Sequence, residues 1–272
     1  MRETNNVYNL NGVPIRFGWK KSPLDMRDKI LTTYIRNRYR GSLGESPTPL
    51  TERQWLFADP SLNQNTTGHC VGFTGADFGI NEPTHTPYTN DDGHAFYYMC
   101  KVLEGEPNNE GGAYLRSMAK VLQNLKTIEA YAFAPDVASI EWWLLNKGPL
   151  LAGMLWTEGM MTPDSNNIIH PTGAVLGGHA FLPNGFKYLL EKKYIHFQNS
   201  WGDLWGVNGG AYISVEDLEK LLMAGGEVIT AVELGDEVAP PPPPPPATNV
   251  GCASLIKSMF INGNNRTNGH VS

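Results

Sequence analysis

Apolar side chains recur at two different spacings along the chain, and the spacing changes near its middle. In the first half, helical spacing predicts helices over residues 95–103, 113–125 and 137–146. In the second half, short apolar runs predict strands over residues 149–156, 174–182, 193–199, 210–214 and 228–234. The capping pattern from Ser214 to Asp217 predicts a further helix, to about Met223. This order predicts an α+β protein of two subdomains with a cleft between them.

The N-terminal region divides into three parts by the same criteria. Residues 1–23 are polar with scattered aromatic side chains, and we expect an extended arm. From Leu24 to Tyr39, apolar positions at helical spacing lie among arginines and lysines, which predicts an amphipathic helix. Its basic face is either a partner-binding surface or an ordinary solvated face. Residues 41–69 are rich in Gly, Ser, Pro, Thr and Asn, which is typical of a loop.

A run of seven prolines, Pro240–Pro246, marks the end of the predicted globular region. Such a run favours a stiff polyproline II rod, so we predict a linker over residues 237–247. The rod is either a ligand for a proline-binding domain or a spacer to the tail, residues 248–272. That tail is polar apart from Leu255–Ile261, which indicates either disorder or a docking segment.

Composition narrows the possible classes of protein. The 272 residues are 41% hydrophobic and 18% charged, as in globular proteins, and carry a formal charge of −6. A mildly acidic chain is a poor binder of phosphate backbones, so we expect no nucleic-acid partner. We also expect no membrane partner, because no apolar run is long enough to span a bilayer. The polar N-terminus and only three cysteines favour the reducing cytoplasm.

Three residues far apart in the sequence are candidates for nucleophilic chemistry. Cys70 follows a polar loop and precedes a possible helix over 71–79, where the helix N-terminus would favour the thiolate. A cysteine nucleophile also needs a base, and that base needs a group that orients it. His179 lies at the start of a predicted strand, after two glycines, and Asn199 ends another. Taken singly, each of the three has an ordinary structural interpretation.

A second polar cluster gives a weaker indication. Its members lie close in the sequence: His69, His85, His94, Asp77, Asp91 and Asp92. They are either metal ligands or polar loop residues. Because they lack compact ligand spacing, we expect no metal and no other cofactor.

Several motifs together resemble the papain-like cysteine peptidase family. Gln64 lies six positions before Cys70, Gly-Gly-His-Ala occupies 177–180, and Asn-Ser-Trp-Gly-Asp-Leu-Trp-Gly occupies 199–206. Glu110-Gly-Gly112 and Gly148-Pro-Leu150 also resemble family segments. The resemblance covers about residues 60–234, and the 199–206 string is its most specific element. It implies a papain-like fold, with a helical subdomain, an antiparallel β-barrel-like subdomain and the active site between them.

The resemblance also implies residue roles in the hydrolysis of a polypeptide substrate. Cys70 attacks the peptide carbonyl, and His179 pairs with the thiolate and protonates the leaving amine. Asn199 orients His179. Trp201 shields their hydrogen bond from water and is grouped with the substrate-binding residues.

Two further roles follow from the same resemblance. Gln64 and the backbone N–H of Cys70 form the oxyanion hole. Gly111 and Gly112 bind the substrate main chain like an added strand. The catalytic domain is then expected over residues 24–236, with an inserted segment at about 28–55.

The chain departs from the family pattern beside the predicted nucleophile. Val71 replaces the usual aromatic residue, His69 replaces a small one, and the family's disulfides are absent. These departures keep open a catalytically impaired peptide-binding relative. The motifs are also compatible with an amidase of cell-wall crosslinks, and the proline rod with a scaffold that acts through that rod. The N-terminal arm is a candidate for a short inhibitory pro-segment.

Overall fold

The structure is a computed structural model. It describes residues 7–10, 12–34, 51–57, 61–189 and 191–233, all within the compact unit Met1–Asp236. The predicted linker and tail, and residues 35–50 of the predicted insertion, lie outside this part of the chain, so the proposed domain boundaries stay predictions. Among the described residues, no helix is both long and apolar enough to cross a membrane.

The longer helices of the described chain follow the sequence prediction closely. They are α1 (Cys70–Ile80), α2 (Asn90–Leu103), α3 (Leu115–Asn124), α4 (Val137–Asn146) and α5 (Val215–Met223). Side-chain caps fix three of their starts, because each side chain accepts a hydrogen bond from an otherwise unpaired backbone N–H. These caps are Thr89 on α2, Asp136 on α4 and Ser214 on α5.

Eleven strands occur in the described residues, and seven of them form one antiparallel sheet. The strands are β1 (Tyr8–Leu10), β2 (Val13–Ile15), β3 (Trp19–Lys20), β4 (Arg53–Gln54), β5 (Ala113–Tyr114), β6 (Ile128–Phe133), β7 (Leu150–Thr157), β8 (Val175–Leu189), β9 (Lys192–Gln198), β10 (Gly210–Ser214) and β11 (Glu227–Glu233). The sheet order is β10-β9-β8-β7-β11-β6, with β4 paired to β8. β1 and β2 form a hairpin, and β3 pairs in parallel with β5.

Two hydrophobic cores lie on opposite faces of the central strands. In β7, Leu150 and Ala152 enter one core, while Leu151 enters the other, which also contains α1, α2 and α3. In β8, Phe181 enters the first core and Ala180 enters the second. Successive side chains of a strand point to opposite faces, so apolar runs without polar alternation are what a sheet covered on both faces requires. The α+β class expected from the sequence is confirmed.

The sequence interpretation was wrong in three places. β6 was missed, and β8 continues to Leu189, beyond the predicted end at 182. The helix predicted from Leu24 is not present over residues 24–30, because the Lys29 carbonyl accepts a hydrogen bond from Phe133 N–H and residue 30 bridges to β6. Helical structure begins at residue 31 and is described to residue 34.

Glycines in α1, which helix propensity disfavours, permit the close approach of α2. A Cβ on Gly72 would collide with the backbone of Gly93 and Tyr97. The loss of intrinsic helix stability, about 1 kcal/mol per glycine, is therefore offset by packing that a larger residue would prevent. This packing fixes the start of α1, and with it Cys70, relative to α2.

Candidate active site

Cys70 is the first residue of α1 and lies where the helices meet the sheet. Its side chain is fully buried, which raises its pKa, and the nearby backbone N–H groups of Ala180 in β8, Gly18 in the arm, and Val71 oppose that rise. The contact with Ala180 places the thiol beside the strand that carries His179. The residue before it, His69, is the N-cap of α1 but makes no side-chain capping hydrogen bond.

His179 and Asn199 meet in the sheet, as the sequence interpretation proposed. Nε2 of His179 lies 2.7 Å from Oδ1 of Asn199, and both residues are fully buried. Because an amide oxygen only accepts, this bond places the ring proton on Nε2 and leaves Nδ1 able to accept a proton. The ring packs against Trp201 and Trp156, each with its ring centre 4.8 Å away. Trp201 therefore covers the histidine and its hydrogen bond.

Gln64 is also buried beside this group. Its Oε1 accepts a hydrogen bond from Ser200 Oγ at 2.7 Å, which fixes the orientation of the amide. Its Nε2 donates to the Thr67 carbonyl at 2.6 Å and to the Arg16 carbonyl at 3.0 Å. The predicted oxyanion donor thus already binds a main-chain carbonyl, and that carbonyl belongs to the N-terminal arm.

Gly111 and Gly112 lie in a loop that two side chains of α2 hold in place. Tyr97 Oη donates to the Gly111 carbonyl at 3.1 Å, and Lys101 Nζ donates to the Gly112 carbonyl at 3.1 Å. Lys101 is completely buried and also contacts Glu104 at 3.0 Å and Glu106 at 2.7 Å. Side chains of α2 therefore hold the predicted substrate-binding loop, and the loop itself lines the cleft.

The N-terminal arm crosses this cleft directly above Cys70. The Gly18 carbonyl accepts a hydrogen bond from Ala113 N–H at 2.8 Å, which begins the parallel pairing of β3 with β5. The Phe17 ring lies 5.8 Å from the His179 ring, between centres, and 6.2 Å from that of Trp201. A cavity of about 340 Å³ remains beside the arm, lined by residues 16–20, 66–68, 110–112 and 176–178. The arm therefore lies between the 110–112 loop and the strand that carries His179.

Burial is the main influence on the ionisation of Cys70 and His179. Burial raises the pKa of Cys70 to about 11, against the smaller lowering effect of the N–H groups that face it. Burial also lowers the pKa of His179 to about 4, although the hydrogen bond to Asn199 acts the other way. At pH 7 the thiol and the imidazole are therefore both neutral. This arrangement therefore disfavours the thiolate–imidazolium pair that cysteine catalysis needs.

His69, the residue before Cys70, belongs to a polar cluster that the sequence analysis predicted only in part. His69 Nδ1 lies 2.8 Å from His94 Nδ1, and His69 Nε2 lies 3.2 Å from Oε2 of Glu110. The His69 ring also stacks on Tyr97, with 3.7 Å between ring centres. His85 is not part of this group, and no cluster of metal-ligating side chains that could hold an ion occurs among the described residues. The cluster links the start of α1 to the 110–112 loop, and no short-range sequence signal connects Glu110 to His69.

Comparisons with known proteins agree with this geometry. The family model for papain family cysteine proteases matches residues 67–226, which is more than half of the chain. The structure of xylellain, a cysteine protease from Xylella fastidiosa, matches with a TM-score of 0.63 at 18% identity, covering 80% of this chain and 96% of that one. No curated protein sequence gives a significant match.

Two plant enzymes are also similar in structure. The bromelain protease from Ananas comosus, in complex with the E64 inhibitor, matches with a TM-score of 0.53 at 15% identity, covering 68% of this chain and 100% of that one. The Amb a 11 cysteine protease of ragweed, in its proform, matches with a TM-score of 0.54 at 11% identity, covering 76% of each chain. At these low sequence identities the structural similarity shows a shared fold only, whereas the family model shows membership of the family. The chain belongs to the papain family of cysteine proteases.

Proposed function

We propose that the chain hydrolyses peptide bonds through a thioester formed on Cys70, with His179 as general acid and base. The observation that carries this proposal is the buried His179–Asn199 hydrogen bond, with Cys70 beside Ala180, the next residue after His179, and Gln64 bonded to Ser200, the next residue after Asn199. These residues come from a helix start, two strands and a loop, so local structure alone gives no reason for them to meet. The matching family model supports the same reaction class.

In the proposed acylation step, the thiol proton moves to Nδ1 of His179 and the sulfur attacks the peptide carbonyl carbon. Nε2–H stays hydrogen-bonded to Asn199, which keeps the ring in the tautomer that can accept that proton. The oxyanion is stabilised by Gln64 Nε2–H and by the backbone N–H of Cys70, each worth about 3–4 kcal/mol. The tetrahedral intermediate then collapses to the thioester as His179 protonates the leaving amine.

In deacylation, a water molecule gives a proton to His179 as its oxygen attacks the thioester carbonyl. The carbon–sulfur bond breaks, the proton returns to the sulfur, and the carboxylic acid product leaves. No group beyond the side chains named and water is consumed, so atoms and charge balance over the cycle.

Substrate can enter this cycle only after the arm has left the cleft. The Arg16 carbonyl accepts a hydrogen bond from Gln64 Nε2, the proposed oxyanion donor, and Gly18 lies against the thiol. We therefore propose that this arrangement is a closed form of the protein. Opening would expose Cys70 and His179 to water and remove the burial that holds both groups neutral.

Labelling with a thiol-reactive epoxide, read by mass spectrometry, tests the chemistry. We expect Cys70 to be labelled in the full chain, the rate to rise at least tenfold in Phe17→Ala, and labelling to fall at least a hundredfold in Phe17→Ala/His179→Ala. Cys100 serves as the internal control, because it is buried against Met118 and its pKa is raised by burial. Equal labelling rates of Cys70 in Phe17→Ala and Phe17→Ala/His179→Ala would refute the proposed pair. Digestion of a peptide library by Phe17→Ala, with cell-wall peptides alongside, then tests for peptide-bond hydrolysis.

A further inference from the structure

The peptide unit that joins His69 to Cys70 carries the N–H of the proposed oxyanion hole. His69 is the N-cap of α1, with φ −94° and ψ 15°, and its carbonyl accepts a hydrogen bond from Phe73 N–H at 3.2 Å. An N-cap residue usually has an extended backbone and a side chain that caps the helix. His69 has neither feature. Its side chain is therefore available for other contacts, and those contacts hold this peptide unit in place.

The His69 ring is held on three sides, and only 3% of the residue is exposed. Nε2 lies 3.2 Å from Oε2 of Glu110, and Nδ1 lies 2.8 Å from Nδ1 of His94. The ring stacks on Tyr97, with 3.7 Å between ring centres and 10° between ring planes. Both ring nitrogens therefore have a polar partner, one beside the substrate-binding glycines and one on α2.

The partners of the two ring nitrogens determine where the protons lie. A carboxylate only accepts hydrogen bonds, so Nε2 of His69 carries a proton. Nδ1 of a neutral His69 is then an acceptor, and Nδ1 of His94 is the donor. Two protons, one on each Nδ1, would not fit in a separation of 2.8 Å. A single proton between the two rings therefore keeps the His69 ring in this orientation.

Glu110 links the His69 ring to the 110–112 loop. Its Oε1 accepts a hydrogen bond from Tyr98 Oη at 3.3 Å while its Oε2 faces His69, so both carboxylate oxygens have a donor. The Glu110 side chain is 68% exposed, so these contacts rather than burial orient it. Displacement of the His69 ring would therefore also move the loop that lines the cleft.

We infer that His69 is a positioning residue, whose ring fixes the distance between the Cys70 N–H and the 110–112 loop. The proton shared with His94 holds the ring in the orientation that does so. The small residue usual at this position in the family could not reach Glu110. The inference rests on the proposed function, because the distance matters when Cys70 attacks a substrate that the loop holds. Misplacement by about 1 Å can slow such a step about a hundredfold.

Nuclear magnetic resonance of the full chain with ¹⁵N-labelled histidine tests the proton arrangement without requiring hydrolysis. At pH 7.5 we expect His69 to carry its proton on Nε2 and His94 on Nδ1, with a coupling between the two Nδ1 nuclei across their hydrogen bond. The variants His69→Gln and His94→Phe assign the signals, and the exposed His85 serves as the control. A proton on Nδ1 of His69, or on neither Nδ1, would overturn the inference.

Peptide hydrolysis by the full chain with Phe17→Ala measures the consequence for the cleft. Adding His69→Leu should raise KM and lower kcat, each at least fivefold, because leucine makes neither polar contact. Adding His69→Gln should keep both within twofold, because the amide can donate to Glu110 and accept from His94. Adding Glu110→Ala should raise KM at least fivefold and change kcat less than twofold, since the pair of histidines remains. The exposed Glu219, changed to alanine, is the matched control.

Equal kinetic constants for His69→Leu and His69→Gln would overturn the inference. If none of these proteins cleaves peptide, the proposed function is refuted, and the reaction of Cys70 with iodoacetamide tests the positioning role instead. Gly18 of the arm pairs with Ala113, which follows the 110–112 loop. In the chain with an unchanged arm, His69→Leu and Glu110→Ala should therefore speed this reaction at least fivefold, and His69→Gln less than twofold. Equal rates for the three variants would contradict the positioning role.

Discussion

On the strand side of the cleft, His179 is held by one hydrogen bond and by the aromatic rings of Trp156 and Trp201. On the helical side, the 110–112 loop is held by charged groups, with Lys101 beneath it and the His69–Glu110 contact at its edge. Aromatic packing is insensitive to pH and salt, whereas ionisable contacts respond to both. This difference indicates that the His179 ring is fixed rigidly, while the 110–112 loop is held by contacts that solution conditions can change.

The largest effect is expected from the aromatic side. Trp156 is fully buried and contacts His179, Phe181, Phe197, Trp201 and Trp205. Trp156→Ala leaves a cavity among these rings and should lower the free energy of unfolding by about 3–5 kcal/mol. Chemical denaturation measures this, with the fully exposed Leu204, changed to alanine, as the control. A loss below about 1 kcal/mol would mean that the rings do not hold the base rigidly.

A somewhat smaller effect is expected from the charged side. Lys101→Met leaves the buried Glu104 carboxylate without its cation and the Gly112 carbonyl without a donor. We expect a loss of about 2–3 kcal/mol, below that of a fully buried pair because Glu106 is part-exposed and can be rehydrated. Michaelis constants for peptides should also rise, because the 110–112 loop is released.

Two matched variants separate charge from packing at this position. Lys220→Met removes a cation from the exposed pair with Asp217 and should change stability by less than about 0.5 kcal/mol. Lys101→Met/Glu104→Gln should recover part of the loss, because the buried partner is then neutral and the part-exposed Glu106 can be hydrated. If Lys101→Met is as mild as Lys220→Met, the helical side does not depend on this buried charge.

The members of the candidate site could be predicted from the sequence because the motifs around them together resemble one family, although each local signal alone has an ordinary structural interpretation. Cys70 begins a helix after a polar loop, His179 follows two glycines in a strand, and Asn199 comes directly after β9. The structure joins His179 to Asn199 by a hydrogen bond and places Cys70 beside Ala180, while their catalytic roles stay predictions. Helix propensity disfavoured α1, and only the packing of Gly72 against α2 explains why it forms.

The contacts that close the cleft could not be read in this way. Gly18 meets Ala113 and Trp19 meets Glu227, pairs separated by 95 and 208 residues, and neither end carries a pattern that selects its partner. The strand β6 was missed for a related reason, since Ile128–Phe133 becomes a strand by pairing with β11 at the edge of the sheet. Long-range pairing overrides local pattern in these segments.

The smallest effect concerns protons on the helical side. His69 faces Glu110 from the loop, and His94, Tyr97 and Tyr98 from α2. Burial lowers its pKa, with Glu110 acting in the opposite direction and His94 in the same one. A group whose pKa is lower in the folded state stabilises the fold fully above its ordinary value of 6.5, and this stabilisation is lost as the pH falls below it.

His69→Ser should therefore make the decline of stability in acid shallower. The variant loses the stacking on Tyr97 at pH 7.5, but the difference in unfolding free energy between it and the wild type should shrink steadily from pH 7 to pH 5. His179 and His196, whose pKa values burial lowers to about 4, contribute equally to both proteins and cancel in that difference. Denaturation across this pH range measures it, with the exposed His85 changed to serine as the control. A difference that stays constant with pH would show that protonation does not affect the contact between α1 and the 110–112 loop. The strand side and the helical side of the cleft would then differ in their charged contacts but not in their response to pH.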